Sequence, residues 1–155
     1  FVFRPLLTDL ARDWEGENIK EFTDIVKKMM ILIGALTIAA CVGAYLLGIP
    51  ILSLVYGVDL RAYRMELVII MICGGLNAYV YCLYYVVTVT GKQIFLLLGY
   101  GAGLIFAVFL GSGFVKSLGM LGAALSCTIS FGVVFIVFLI ITSCVVKDRK
   151  KKTEV

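Results

Sequence analysis

The chain has 155 residues, of which 62% are hydrophobic and only 15% charged, with a net charge of +4 and no histidine. A water-soluble domain of this length needs more charge to keep its surface wet, so a soluble globular fold is excluded. The missing histidine removes the commonest acid–base side chain and the commonest nitrogen ligand for metals.

The charges are also unevenly spread. No Lys, Arg, Asp or Glu occurs within 29–58, 67–91, 93–115 or 117–146. Each window is long enough for the roughly 20 apolar residues that cross about 30 Å of hydrocarbon. Lipid offers no partner to free backbone groups, so each window must be helical; the ten-residue alternation of outer-membrane strands is absent. The predicted fold class is all-α: a polytopic membrane helical bundle with four full transmembrane helices and the end of a preceding helix. Five cysteines (Cys41, Cys73, Cys82, Cys127 and Cys144) all lie in these windows without a CxxC pair, as small packing residues do.

In chain order, residues 1–14 read as the end of an earlier membrane helix, with Trp14 as an interfacial aromatic. The opening at Phe1 suggests the tail of something longer. Residues 15–28 read as a cytoplasmic turn and an amphipathic helix entry. Asn18 followed by Glu21 resembles a capping box there. Residues 29–146 form the four-helix region, with spans expected at about 29–56, 67–90, 94–114 and 121–145. Pro50 should kink or end the first span. A polar loop is expected at 59–66, a tight turn at 91–93 and a turn around Lys116. Residues 147–155 form a basic tail, with a stop-transfer role or contact with anionic lipid headgroups.

Loop charge gives an orientation. Arg4, Arg12, Lys20, Lys27, Lys28, Lys92, Lys147, Arg149, Lys150, Lys151 and Lys152 fall on one side of a four-span topology, against Arg61, Arg64 and Lys116 on the other. Positive charge is retained in the cytoplasm, which places both ends of the segment there.

Two patterns within the spans stand out. Gly74, Asn77, Tyr81, Tyr84 and Thr88 share one face of the second span, while Leu76, Val80, Leu83 and Val87 lie on another, apolar face. The polar stripe suits either hydrogen bonding between helices or a wet cavity. Tyrosines and amides in a cavity fit a sugar, with rings against C–H bonds and hydroxyls against hydroxyls. Val80→Ala and Leu83→Ala are expected to matter little for passage. In the third span, Gly99, Gly103, Ala107 and Gly111 recur every four residues, and Gly119 and Gly122 open a similar small-residue face in the fourth. These are helix-packing positions, within the molecule or at a dimer seam, and no strand precedes them to make a nucleotide loop. No activated nucleophile or base is visible, so an enzyme, a cofactor, a metal site and a nucleic-acid partner are not expected.

Arg4-Pro5-Leu6-Leu7-Thr8, then the run from Ile51 through Ser53, Tyr56, Gly57 and Asp59 to Leu60, then Gly119-Met120-Leu121-Gly122-Ala123-Ala124 follow one another in a familiar order. Together they resemble the C-terminal part of a bacterial polysaccharide flippase, of the multidrug/oligosaccharidyl-lipid/polysaccharide exporter superfamily. The resemblance implies a lobe of an alternating-access transporter that moves lipid-linked glycans across the cytoplasmic membrane, partnered by an N-terminal lobe. It also implies a place in lipopolysaccharide or exopolysaccharide synthesis. The family's cavity charges match no residue here. The alternatives are a cation-coupled drug exporter of the same superfamily, whose expected mark, an acidic residue inside a helix, does not occur in these spans, and a non-transporting four-span scaffold.

Overall fold

The computed structural model describes residues 12, 14, 16 and 19–153, with side chains to residue 149. Most of the expected helix end at 1–14, and Asn18 of the expected capping box, lie outside the described residues. Among the described residues the structure is helical, without strands: α1 (Ile19–Gly43), α2 (Ile49–Tyr56), α3 (Arg64–Val89) and α4 (Ile94–Thr153). Three continuous helical stretches, Ile19–Tyr56, Arg61–Val89 and Ile94–Arg149, are long and apolar enough to cross a membrane. The protein is a membrane-embedded helical protein.

The amphipathic entry and the first apolar window form one helix. The disturbance expected at Pro50 falls just before it. Residues Ala44–Gly48 take a wider π-type turn, and α2 starts with Pro50 in its first turn. Proline lacks an N–H and collides with the carbonyl four residues back; one wide turn relieves this without ending the helix. The helix then stops at Gly57, whose left-handed backbone (φ 66°) sends its N–H to the Ser53 carbonyl at 2.9 Å.

Two expected boundaries are corrected. The polar loop is shorter than 59–66, because α3 begins at Arg64 and takes Glu66 into its first turn. The break expected around Lys116 lies at Gly119, and Lys116 itself is helical. Gly119 has φ 58° and ψ −128°, a conformation closed to side chains with a Cβ, and it is the one non-helical residue inside α4. The basic tail is helical as far as Thr153, continuous with the span before it.

Gly119 folds α4 back on itself. Gly99 lies against Phe138, Gly103 against Val134, Gly111 against Ser126, and Gly122 on the carbonyl of Phe114. These pairings converge on Gly119, so the two arms are antiparallel. A straight helix of 60 residues would reach roughly 90 Å, far beyond any bilayer.

Helix α3 sits in the middle. On one flank it meets α1, where a Cβ on Gly34 would stand 2.6 Å from the Tyr79 hydroxyl and one on Gly75 2.6 Å from Thr37 Oγ1. The Tyr79 hydroxyl donates to the Met30 carbonyl at 3.0 Å. On the other flank α3 meets both arms of α4, through Val80, Leu83 and Val87 packed with Leu96, Val134 and Phe138. A second cluster joins Phe22, Met29 and Ile33 of α1 to Cys82 and Val86. The far end of α4 closes on the start of the chain: the Arg149 guanidinium lies 4.7 Å from the Trp14 ring centroid and donates to the Trp14 carbonyl at 3.2 Å. Met120, beside the fold-back, shares a recess with Leu60, Tyr63 and Glu66 at the opposite end of the bundle.

Candidate functional site

The polar stripe of α3 lies on the flank that the bundle leaves open. Tyr81 is 54% exposed, Gly74 is exposed, and Asn77, Tyr84 and Thr88 are half-buried. The apolar face behaves in the opposite way: Val80, Leu83 and Val87 are buried, and Leu76 is half-buried. The helix therefore turns its most apolar side to α4 and its Tyr79 hydroxyl to α1. It presents Tyr81 outward, with Asn77 and Tyr84 beside it at the margin, where Tyr84 also packs against the buried cluster.

Within the stripe the residues divide by their hydrogen bonds. The Thr88 hydroxyl donates to the Tyr84 carbonyl one turn back at 2.8 Å, so its needs are met inside the helix. Asn77 takes part in no side-chain hydrogen bond among the described residues, although its amide offers two donors and an acceptor. Tyr84 and Tyr85 meet edge to face, with centroids 5.5 Å apart.

A further tyrosine joins them from α4. Tyr100 lies within electrostatic reach of both Tyr81 and Tyr84, and its ring stands edge-on to Phe138 at 5.4 Å. Reasoning from sequence passed over Tyr100, which sits inside the glycine run Gly99–Gly103 and reads there as a packing segment. A tyrosine among glycines in an apolar window was the available signal, because its hydroxyl needs a partner. The outcome is a band of phenols and one amide across α3 and the first arm of α4.

The small residues have separate duties. Gly99, Gly103, Gly111 and Gly122 face the opposing arm, while Gly119 has no atom within 4 Å of where a Cβ would stand and serves the turn alone. Gly103, Ala107 and Gly111 also line an apolar groove of about 490 Å³ between the arms, with Tyr100 at its rim and Ser126 and Ser130 on its far wall. The Ser130 hydroxyl is satisfied by the Ser126 carbonyl at 2.8 Å, which leaves the groove little hydrogen-bonding capacity. Among the described residues, no three His, Cys, Asp or Glu side chains come together as metal ligands would.

Comparison with protein-family models, with curated proteins and with solved structures returns no match.

Proposed function

We propose that this chain is the C-terminal lobe of a transporter that flips lipid-linked oligosaccharide or polysaccharide precursors across a bacterial cytoplasmic membrane by alternating access. The observation that carries the reading is the open band of Asn77, Tyr81, Tyr84 and Tyr100 on an otherwise apolar bundle. Polar groups turned to lipid lose water without gaining partners, at a cost of about 1–3 kcal/mol each. A band of them is better accommodated by a wet cavity shared with a second lobe of the same protein. Aromatic faces and hydroxyls in such a cavity match a glycan. The likeness of sequence order to the polysaccharide flippases supports the same assignment.

In this reading the chain makes four crossings: Ile19–Tyr56, then Arg61–Val89, then each arm of α4 on either side of Gly119. Its two ends share one face of the membrane, the cytoplasmic one by the lysine and arginine bias. Single cysteines at Arg61 and Lys150, introduced after the five native cysteines are replaced, test the orientation in intact cells. An impermeant maleimide should label position 61 rapidly and position 150 not at all; the reverse would refute the topology.

The test of function uses the full-length protein. Tyr81→Ala and Tyr84→Ala should each lower glycan export several-fold while membrane abundance holds. Loss of abundance with normal export per remaining molecule would instead make the tyrosines packing residues. One observation favours cation-coupled export as a second reading. Glu66 lies in the first turn of α3, and among the described residues its buried Oε2 has no hydrogen-bond partner. Export that requires a cation gradient and disappears in Glu66→Gln would move the assignment there.

A further inference from the structure

The end of the bundle opposite Trp14 carries a cleft of about 770 Å³ between α2 and the start of α3, with Pro50, Ser53, Asp59, Arg61 and Arg64 among its walls. Its charges do not cancel. Asp59 is committed to Arg61: its Oδ1 accepts the Arg61 backbone N–H at 3.0 Å and lies 3.8 Å from Arg61 Nε. Glu66, two residues beyond Arg64, belongs to a separate recess beside Met120. Among the described residues, Arg64 is left with no carboxylate at ion-pair distance and with its Nε buried and lacking a hydrogen-bond partner.

Arg64 is nonetheless held in place. Its guanidinium carbon stands 5.1 Å from the centroid of the Tyr45 ring, a cation–π contact that orients the planar group but accepts none of its N–H donors. A half-buried guanidinium without a counter-charge is costly, and an anion beside it offsets that cost with charge-assisted hydrogen bonds. Ser53 Oγ already accepts the Leu60 N–H at 3.3 Å, which leaves its hydroxyl proton free to donate into the same cleft.

We propose that this cleft is an anion site that takes a phosphate group, with Arg64 as the main donor and Arg61 as a second positive charge. The phosphate belongs either to the headgroup of a lipid, since the cleft borders the apolar windows of α2 and α3, or to a soluble phosphate. The inference does not depend on what the protein transports.

The full-length protein in phosphatidylcholine nanodiscs provides the test, read by its thermal unfolding midpoint. One arm titrates inorganic pyrophosphate; the other replaces part of the phosphatidylcholine with phosphatidylglycerol. The midpoint should rise in at least one arm. A rise with phosphatidylglycerol alone assigns a lipid headgroup, and a rise with pyrophosphate assigns a soluble phosphate. Arg64→Gln should raise the half-saturating concentration by about tenfold or more. Arg64→Lys, which keeps the charge but loses the fork, should fall between. Lys116→Gln, near the fold-back at the same end, should behave as the unaltered protein. Should Arg64→Gln fail to fold, Arg61→Gln should still weaken the response several-fold. No midpoint shift in either arm, or the same shift with and without the arginines, overturns the site. Glycan export is measured separately, so either result leaves the transport reading to its own test.

Discussion

Gly122→Val should fail to accumulate as a folded protein in membranes. Any Cβ at position 122 would run into the carbonyl group of Phe114, which is backbone in the opposing arm and cannot swing aside as a side chain would. The two residues are joined through the sharp turn at Gly119, so the arms have little freedom to part. Overpacking commonly costs about 1–3 kcal/mol, and a backbone collision lies at or beyond the top of that range. Set against a typical total of about 5–15 kcal/mol, such a loss removes much of the margin, and quality control clears bundles weakened to that degree. Gly132→Val is the matched control, because nothing lies within 4 Å of a Cβ there. Membrane abundance and the monodispersity of the solubilised protein give the readout. Equal behaviour of the two variants would mean that the arms do not close at Phe114.

Leu83→Ala should destabilise the protein by about 2–4 kcal/mol, while Tyr81→Ala, two residues earlier, should change stability by about 0.5 kcal/mol or less. Leu83 is 0% exposed and packs in the cluster with Leu96, Val134 and Phe138, whereas Tyr81 is 54% exposed. In a bilayer the gain from removing leucine from water is largely absent, since lipid is as apolar as the core. The penalty comes from lost packing contacts and the cavity left behind. Unfolding in mixed micelles of increasing sodium dodecyl sulfate fraction resolves a difference of this size. If the order were reversed, α3 would be rotated about its axis relative to the packing described above. The expectation from sequence that Val80→Ala and Leu83→Ala do little to passage concerns transport per folded molecule and is separate from this loss of stability. Both residues sit at the centre of the bundle.

How much of this was legible beforehand differs by element. The tight turn at 91–93 was readable, because Gly91-Lys92-Gln93 interrupts two apolar windows and leaves no room for anything longer. The fold-back of α4 was placed near Lys116 because a charge looked like the natural end of a span. Lysine, however, can stay helical and stretch its ammonium toward water, whereas a backbone at φ 58° and ψ −128° needs glycine. The wide turn before Pro50 followed from proline chemistry, but whether the helix would end or continue depended on the packing around Gly48. There a Cβ would stand 2.6 Å from Leu67 Cδ2, so α3 passes close by. The site residues on α3 were visible as a stripe, yet Tyr100 joined them only through the antiparallel approach of α4, and Arg64 and Glu66 gained importance only once α3 began at Arg64.

By itself, the sequence determined that this protein lives in a membrane, that its backbone is helical, and which residues share a face of each helix. Those properties depend on local composition, on the thickness of hydrocarbon and on the 3.6-residue period, none of which needs a partner helix. Only the tertiary structure decided which face turns inward. In water, the apolar face of a helix must be the buried one. In lipid, the surroundings are as apolar as the interior, so Leu83 and Leu76 would be equally at home on either side. What breaks the tie is shape and hydrogen bonding between distant residues: Phe138 seated on Gly99, Thr37 on Gly75, and the Tyr79 hydroxyl on the Met30 carbonyl. Those contacts bury Val80, Leu83 and Val87 and leave Asn77, Tyr81 and Tyr84 along the open flank of the bundle.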